Sequence, residues 1–431
     1  MRMQIPRHTI QVAFLALVVG GVFFMGAHAE RWCPFGGVEA LYEYATEGTM
    51  LCSLGVSNFY VLAGVLLMTL LLRRAFCGYL CPIGAISEGL RRGGRRLGIR
   101  EWRIPPSVDR VLSLGKYVVL ATVLLLTWWY RELIFRAFDP CYALISRHGT
   151  DITIWAYVVA GAIVLASLVV MLPFCRWLCP LAAVLNPFSR FGMARVRREP
   201  GGCNDCGRCA RQCPMQIPVD RVDEVKHGRC TACLGCVDSC AAAGRNALAW
   251  GPPRWLGGRW SRFALVSILL LCVSGAVAAA YLVPLPSYVK TRGSVPPAVD
   301  SVELRVSNLS CRGRANLLYW FLDRNDMFQL PGAGDGPGYF KLEAWPGSQW
   351  SRVRVSYNAE HADASDVRRA ITEPYFNLQD DPQSSRWMES PFAIQGYDPL
   401  AAPLDGLPPL DGSPPSGELP PMEEVLPAAK K

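Results

Sequence analysis

The sequence FCGYLCP at residues 76–82 recurs as FCRWLCP at residues 174–180. Each copy follows a long apolar stretch, and the loop before that stretch holds one cysteine beside a proline, Cys33 in the first copy and Cys141 in the second. The repeated unit is therefore an apolar stretch, a Cys/Pro loop, a returning apolar stretch and a C-x3-C-P motif. Such a repeat predicts two matched hairpins related by a pseudo-twofold axis along the membrane normal.

The composition also indicates a membrane protein. Of the 431 residues, 51% are hydrophobic and only 18% are charged, whereas an ordinary soluble domain has about 25% charged residues. Five stretches carry little or no charge over roughly the 20 residues that a bilayer requires. They are residues 12–27, 50–72, 111–130, 152–174 and 263–289. We predict a mainly α-helical membrane protein with five transmembrane helices, arranged as two repeated hairpins plus one.

The placement of basic residues predicts the orientation. Arginines concentrate between the second and third stretches and between the fourth and fifth, so the positive-inside rule places both loops in the cytoplasm. The N-terminus is then cytoplasmic, and the chain after the fifth stretch is periplasmic in a bacterial inner (plasma) membrane. The net charge of +9 is thus a topology signal, which argues against a nucleic-acid partner. Residues 27–29 resemble a cleavage site, but we favour an uncleaved anchor over a signal peptide.

Two cysteine runs lie between the fourth and fifth stretches, and both have the spacing C-x2-C-x2-C-x3-C. This spacing is typical of bacterial proteins with two [4Fe–4S] clusters, in which the fourth cysteine of each run ligates the other cluster. It predicts one cluster on Cys203, Cys206, Cys209 and Cys240, and a second on Cys230, Cys233, Cys236 and Cys213. Zinc is the alternative, but its tetrahedral sites usually join two C-x2-C hairpins across a longer loop.

The C-x3-C-P motifs supply four further thiols, those of Cys77, Cys81, Cys175 and Cys179. If each motif is helical, its two cysteines share one face and its proline limits the helix beyond them. Facing copies would bring the four thiols together at the cytoplasmic edge of the membrane. We interpret them as an additional redox or metal centre, with an iron–sulfur centre favoured over copper or a thiol/disulfide couple. The alternative is that they are small buried hydrophobic residues.

Cys33 and Cys141 are expected on the outer side, where two roles stay open. They form either a second metal site or a disulfide, with each other or with Cys52. Cys272 lies inside the fifth apolar stretch and is interpreted as a packing residue.

The C-terminal part predicts a small periplasmic α+β domain with the order βαββα. The strands and helices are expected at residues 302–306, 315–322, 339–345, 352–357 and 363–374. This order resembles the heavy-metal-associated, ferredoxin-like fold. Cys311 stands alone where that family places its metal loop, with Arg314 in place of a second cysteine, so we favour a degenerate docking domain over an active metallochaperone.

The domain organisation follows from these patterns. We expect a membrane domain over residues 1–199, a two-cluster module over 200–250, the fifth transmembrane helix over 262–289, the α+β domain over 290–400 and a disordered Pro-rich tail over 401–431.

The motif WCPFGGVE at residues 32–39, both C-x3-C-P motifs and the paired cysteine runs resemble the membrane polyferredoxins of the NapH and NosR type, which also include accessory proteins of the CcoG type. The resemblance covers about residues 1–285. It implies electron transfer between the quinone pool or cytoplasmic donors and periplasmic reductase systems, or a role in metal-centre assembly. No flavin-binding domain of the NosR kind precedes the first stretch, which shifts the likeness toward NapH.

Two functions therefore stand side by side. The leading hypothesis is an integral-membrane electron carrier that serves a respiratory or reductase system, with a periplasmic redox or client protein as its partner. The alternative is an accessory or assembly factor that supplies reducing equivalents during the maturation of another enzyme. The sequence favours an electron carrier over a substrate-transforming enzyme, because the five histidines are scattered and form no recognisable catalytic group.

Overall fold

The computed structural model describes the chain in segments. They are residues 4–24, 33–49, 56–130, 138–145, 152–244, 246–309, 312–323, 338–345, 350–360, 362–377 and 386–397. Cys52, Cys311, the cleavage-like residues 27–29 and the predicted tail lie outside the described residues.

The N-terminal part of the chain is helical. Its helices are α1 (Gln4–Phe24), α2 (Pro34–Glu47), α3 (Ser57–Leu72), α4 (Ala75–Tyr79), α5 (Pro82–Arg96), α6 (Pro106–Leu112), α7 (Gly115–Tyr130), α8 (Pro140–Ile145), α9 (Ile154–Val169), α10 (Pro173–Trp177) and α11 (Pro180–Phe191).

Within the described residues, three helical stretches are long and apolar enough to cross a membrane. They are Gln4–Phe24, Pro106–Tyr130 and Phe263–Leu282, which correspond to the first, third and fifth predicted spans. The shorter apolar helices α3 and α9 fall within the second and fourth predicted spans. The structure thus agrees with a mainly helical membrane protein, and the count of five spans stays a prediction.

Each C-x3-C-P motif is divided between two helices. Helices α4 and α10 end before the second cysteine, and Cys81 and Cys179 then take the N-cap positions of α5 and α11. Neither motif is one continuous helix, so the condition under which its two cysteines would share a helical face is not met. Pro82 and Pro180 begin a new helix, because proline has a fixed helical φ and its missing N–H is not needed at the first helical position.

The loop between the first two predicted spans folds back against the helices. Helix α2 packs along α3 and also contacts α7 and α11. Phe35 of α2 is buried in a cluster with Val65 and Val123, and the Asn58 side-chain amide donates to the Cys33 carbonyl at 2.8 Å. Helix α8 packs against α9 in the second repeat. The cysteines that begin these two helical segments are thus drawn in among the membrane helices.

The cysteine-rich module follows α11 and leads into the last apolar helix. Its elements are β1 (Arg195–Arg198), α12 (Arg208–Arg211), α13 (Gly235–Ala242) and β2 (Leu248–Gly251), and the chain continues into α14 (Arg262–Leu282). Strands β1 and β2 pair antiparallel. Val196 and Trp250 of the module share one buried cluster with Leu72 and Leu265 of the membrane helices. This shared core packs the module against the apolar helices.

The C-terminal part forms an antiparallel sheet with two helices. Its elements are β3 (Tyr288–Arg292), β4 (Val299–Ser307), α15 (Arg312–Leu322), β5 (Phe340–Trp345), β6 (Trp350–Asn358), α16 (Ala364–Thr372), β7 (Tyr375–Asn377) and β8 (Arg386–Met388). The four-stranded sheet has the order β3-β5-β6-β4, so β6 lies between the two strands that α15 connects. The side chain of Asp363 caps α16 in a capping box.

The element order β4-α15-β5-β6-α16 follows the predicted βαββα pattern, and the heavy-metal-associated assignment of the fold stays a prediction. The predicted fifth span is too long at its end. Helix α14 stops at Leu282, and the last two residues of the predicted span, 288 and 289, belong to strand β3. Pro284 and Pro286 account for the difference, because proline cannot continue a helix.

Candidate metal centre

The cysteines of the module form two groups. The first lines a small apolar cavity and joins the last cysteine of the first run to three of the second: Cys213, Cys230, Cys233 and Cys236. The second group lies on the loop before α12, on α12 and on α13, two helices that pack together. It consists of Cys203, Cys206, Cys209 and Cys240. The structure therefore brings together the four residues predicted for the second cluster and places the other four on neighbouring segments.

Both cysteine runs use the same strained backbone. Asp205 and Gly207 in the first run, and Ala232 and Leu234 in the second, have φ angles between 49° and 64°. The left-handed conformation costs a residue other than glycine roughly 1–2 kcal/mol. Alternating right- and left-handed residues turn successive N–H groups into a concavity that binds anions, as in many iron–sulfur sites. The recurrence of this turn at equivalent positions fits an anionic cluster in each loop.

The Cys213 thiol would have to lose its proton to bind a metal. Burial, together with the neighbouring Cys233 and Cys230, raises the pKa of the Cys213 thiol to about 12. The metal-binding thiolate therefore forms with loss of a proton as the metal binds. Within the described residues, no three His, Cys, Asp or Glu side chains are close enough to hold a single metal ion. A multi-iron cluster requires a wider spacing, because each thiolate binds a different iron.

A cavity of about 650 Å³ lies in the membrane domain, between α1, α3, α14 and the two C-x3-C-P motifs. Its walls carry one cysteine from each Cys/Pro loop and two from each motif: Cys33, Cys77, Cys81, Cys141, Cys175 and Cys179. We call this space the cysteine cavity. The structure places the expected outer pair beside the motif cysteines rather than at a separate outer site. Among the described residues, no two cysteines are joined by a disulfide.

Three of these thiols lie at the start of helices. Cys33, Cys81 and Cys179 are the N-cap residues of α2, α5 and α11. Pro82 and Pro180 occupy the first helical position directly after Cys81 and Cys179. A helix N-terminus favours negative charge, so these positions suit thiolates that bind a metal.

Arg74 connects the module to the cysteine cavity. Its backbone N–H donates to the Cys230 carbonyl at 3.2 Å, and its Nη2 lies 3.7 Å from the sulfur of Cys77. The side chain is fully buried, and among the described residues its Nε has no hydrogen-bond partner. A buried guanidinium needs a counter-charge, and a thiolate-ligated iron–sulfur centre is an anion. The donor set therefore fits such a centre on both sides of Arg74.

Sequence reasoning missed two carboxyl groups that line the cysteine cavity, those of Glu39 and Asp139. Glu39 is 8% exposed, and among the described residues its Oε1 has no hydrogen-bond partner. Asp139 accepts a hydrogen bond from the Cys141 backbone at 2.9 Å. The sequence offered one signal for these carboxyl groups, their position six residues after Cys33 and two before Cys141. Acidic residues in a loop are usually solvated, so this position alone did not predict a place in the cavity.

Known proteins share these motifs. The family "4Fe-4S binding domain" matches residues 54–100 and 152–199, one match for each C-x3-C-P motif, and the family "4Fe-4S dicluster domain" matches residues 195–241. The methylamine utilization ferredoxin-type protein MauN of Methylobacillus flagellatus is 30% identical over 220 residues, which cover 48% of this chain and 71% of MauN. The chain belongs to the membrane polyferredoxins of the NapH/NosR type.

The matches to two other relatives cover a smaller share of the relative's own length. YccM of Escherichia coli, which is named for electron transport, is 32% identical over 228 residues, covering 50% of this chain and 61% of YccM. The regulatory protein NosR of Stutzerimonas stutzeri is 30% identical over 173 residues, covering 38% of this chain and 23% of NosR. The chain thus spans less than two thirds of either protein. No solved structure matches the polyferredoxin.

Proposed function

We propose that this polyferredoxin passes electrons between two cytoplasmic [4Fe–4S] clusters and a further redox centre in the cysteine cavity, in the service of a respiratory or reductase system. The eight module cysteines would hold the two clusters, and thiols of the cysteine cavity would hold the further centre. When bound, iron–sulfur centres accept and release single electrons. The proposed partners are a quinone or a cytoplasmic donor on one side and a periplasmic redox protein on the other.

The observation that carries the proposal is the direct contact between the second cysteine run and the first C-x3-C-P motif. Besides the Arg74 link to Cys230, the Tyr79 hydroxyl donates to the Ala232 carbonyl at 3.1 Å. Gly78 lies so close that an added Cβ would be 2.6 Å from the Thr231 carbonyl oxygen. Two cysteine groups of a purely structural kind would not need such contact, whereas electron transfer requires carriers that lie close together.

The cysteine cavity supports the same proposal through its symmetry and its surroundings. Each repeat contributes one loop cysteine and two motif cysteines, so both halves of the protein build the site together. The apolar walls from α1 and α14 exclude water, which strengthens the electrostatic effect of the helix N-termini on the bound charge. We favour an iron–sulfur centre here over copper or a thiol/disulfide couple.

A second candidate is an accessory role in enzyme maturation. The observation in its favour is the contact of the C-terminal sheet with α2, the helix that begins at Cys33. Val289 of β3 donates its N–H to the Gly48 carbonyl at 2.7 Å, and Arg312 pairs with Glu43. A client protein that docks on this sheet would thus lie next to the helix that leads to the cysteine cavity.

The test is anaerobic purification with iron and sulfide analysis and EPR. We expect iron and sulfide for two [4Fe–4S] clusters plus a further centre. In a variant with Cys77, Cys81, Cys175 and Cys179 all replaced by alanine, the further centre should disappear while the two clusters stay.

Cys272→Ala is the matched control, because Cys272 lines the same cavity but lies in α14. It should leave all centres in place. A colourless protein with stoichiometric zinc would contradict the cluster assignment. Unchanged metal content in the fourfold variant would contradict the further centre.

A further inference from the structure

A second cavity, of about 790 Å³, lies where the membrane helices meet the module. Its walls come from the segment 110–117, from the end of α11 and from the loop that leads into Cys230. The lining residues are Arg110, Ser113, Lys116, Tyr117, Asn186, Pro187, Arg190, Phe191, His227, Gly228 and Arg229. We call it the basic cavity, because four of these side chains are basic, those of Arg110, Lys116, Arg190 and Arg229, and no aspartate or glutamate is among the described residues that line it.

Lys116 is the residue that most needs a ligand. It is only 2% exposed, and among the described residues its ammonium has no hydrogen-bond or ion-pair partner. Its ammonium lies 5.4 Å from the centroid of the Tyr117 ring. Burying an ammonium group without a counter-ion carries a large desolvation penalty. The nearest acid, Asp109, is already engaged by Arg176, Arg229 and Trp177.

The field in the basic cavity is positive. Arg110, Lys116, Arg190 and Arg229 line it together with the imidazole of His227. Arg110 and Arg190 are exposed at the rim. A guanidinium pair with a buried ammonium and neutral hydrogen-bonding groups is the donor set that recognises a phosphate group.

The position of the basic cavity distinguishes between sources of phosphate. The cavity opens at the cytoplasmic start of the apolar stretch that ends at Tyr130, where the positive-inside rule places the headgroup region. Phe191 lines it and is 74% exposed, and Val118, one turn along α7, is 64% exposed. Exposed apolar residues beside a group of basic side chains suit a molecule with a charged headgroup and an apolar tail better than a free ion.

From these observations we propose that the basic cavity binds the phosphate headgroup of an anionic membrane phospholipid, with its acyl chains along α7 and Phe191. Basic pockets between membrane helices on the cytoplasmic side are the expected geometry for such headgroups. The lipid phosphate would neutralise Lys116. The headgroup would fill the space between the helices and the module beside Gly228, two residues before Cys230. This site is independent of the electron-transfer proposal.

The experiment uses the full chain in detergent, with native mass spectrometry to count bound lipid and fluorescence-monitored thermal unfolding to measure the effect of binding. The probes are dioleoyl phosphatidylglycerol, the zwitterionic dioleoyl phosphatidylcholine and inorganic phosphate. We expect retention and stabilisation with phosphatidylglycerol only.

The variant K116Q/R190Q should bind phosphatidylglycerol about 25-fold more weakly, because each basic residue near an anionic lipid contributes about five-fold. The control is R95Q/R96Q, which removes the same charge from the exposed end of α5. If K116Q/R190Q loses its cluster absorbance, R190Q alone, at an exposed position, should still show about a five-fold loss. Equal losses in the control would overturn the proposal, as would binding of inorganic phosphate that displaces the lipid.

Discussion

The clearest test of the connection between module and cysteine cavity is Arg74→Gln. The backbone link to Cys230 survives this change, so the two cysteine groups stay adjacent, while one buried positive charge disappears. At the 3.7 Å separation of Nη2 and the Cys77 sulfur, two unit charges interact by about 1 kcal/mol in water and about 4 kcal/mol at an effective dielectric constant of 20. For a one-electron couple this corresponds to about 40 to 170 mV.

The sign of the change in reduction potential follows from the positive charge of Arg74. Reduction adds an electron to a centre beside Arg74, and the guanidinium stabilises the more negative form. Its loss should therefore make the reduction potential more negative. Because the added electron is shared over the whole centre, we expect a shift of about 40 to 100 mV.

The assay is a potentiometric titration followed by EPR on anaerobically purified protein. Arg74→Lys retains the charge and should restore most of the potential. Arg91→Gln is the matched control, because Arg91 is equally buried on α5 but donates to the carbonyls of Leu168 and Ile99 rather than to a sulfur. An unchanged potential in Arg74→Gln with full iron content would refute the reasoning, and so would an equal shift in Arg91→Gln.

Two further predictions concern contacts between separate segments of the chain. Glu88→Ala should lower the free energy of unfolding by about 3–5 kcal/mol, measured by denaturation in detergent, because it leaves the buried guanidinium of Arg7 without its carboxylate. Desolvation would raise the pKa of Glu88, but Arg7, Gln11 and Arg92 hold it below its usual value, so this stabilisation is present above the ordinary carboxyl pKa and is lost as the pH falls. Gly78→Ala should push α4 away from Thr231 and slow the reduction of the cavity centre in stopped-flow measurements, because the added Cβ would meet the Thr231 carbonyl oxygen at 2.6 Å.

Controls separate these effects from general damage. Gly93→Ala places a methyl group in open space on α5 and should leave the reduction rate unchanged; a similar slowing there would contradict the contact argument. For Glu88, a free energy of unfolding that does not fall as the pH drops below about 4.5 would contradict the proposed role of the ion pair.

The sequence predicted the parts of the protein that depend on local spacing. The membrane character, the two cysteine runs and the strands and helices near residues 302–372 follow from periodicities that span a few residues to one helix. The grouping of Cys213 with the second run also follows from spacing, because in two-cluster proteins the fourth cysteine of each run ligates the other cluster.

The cysteine cavity could not be predicted in the same way. Helix α2 carries Glu39, Glu43 and Glu47, so hydropathy treats it as a solvent loop, and only its packing against α3 reveals that it turns inward. Pro82 illustrates a second limit. A proline can either end a helix or begin one. Here the first helix already ends at Tyr79, so Pro82 begins the next helix.

Helix α2 has a consequence for mechanics. One end begins at Cys33 in the cysteine cavity, and the other ends at Gly48, whose carbonyl accepts a hydrogen bond from β3. Its 14 residues form a stiff rod of about 21 Å. A displacement of the C-terminal sheet along the axis of α2 would therefore be transmitted through this helix to Cys33.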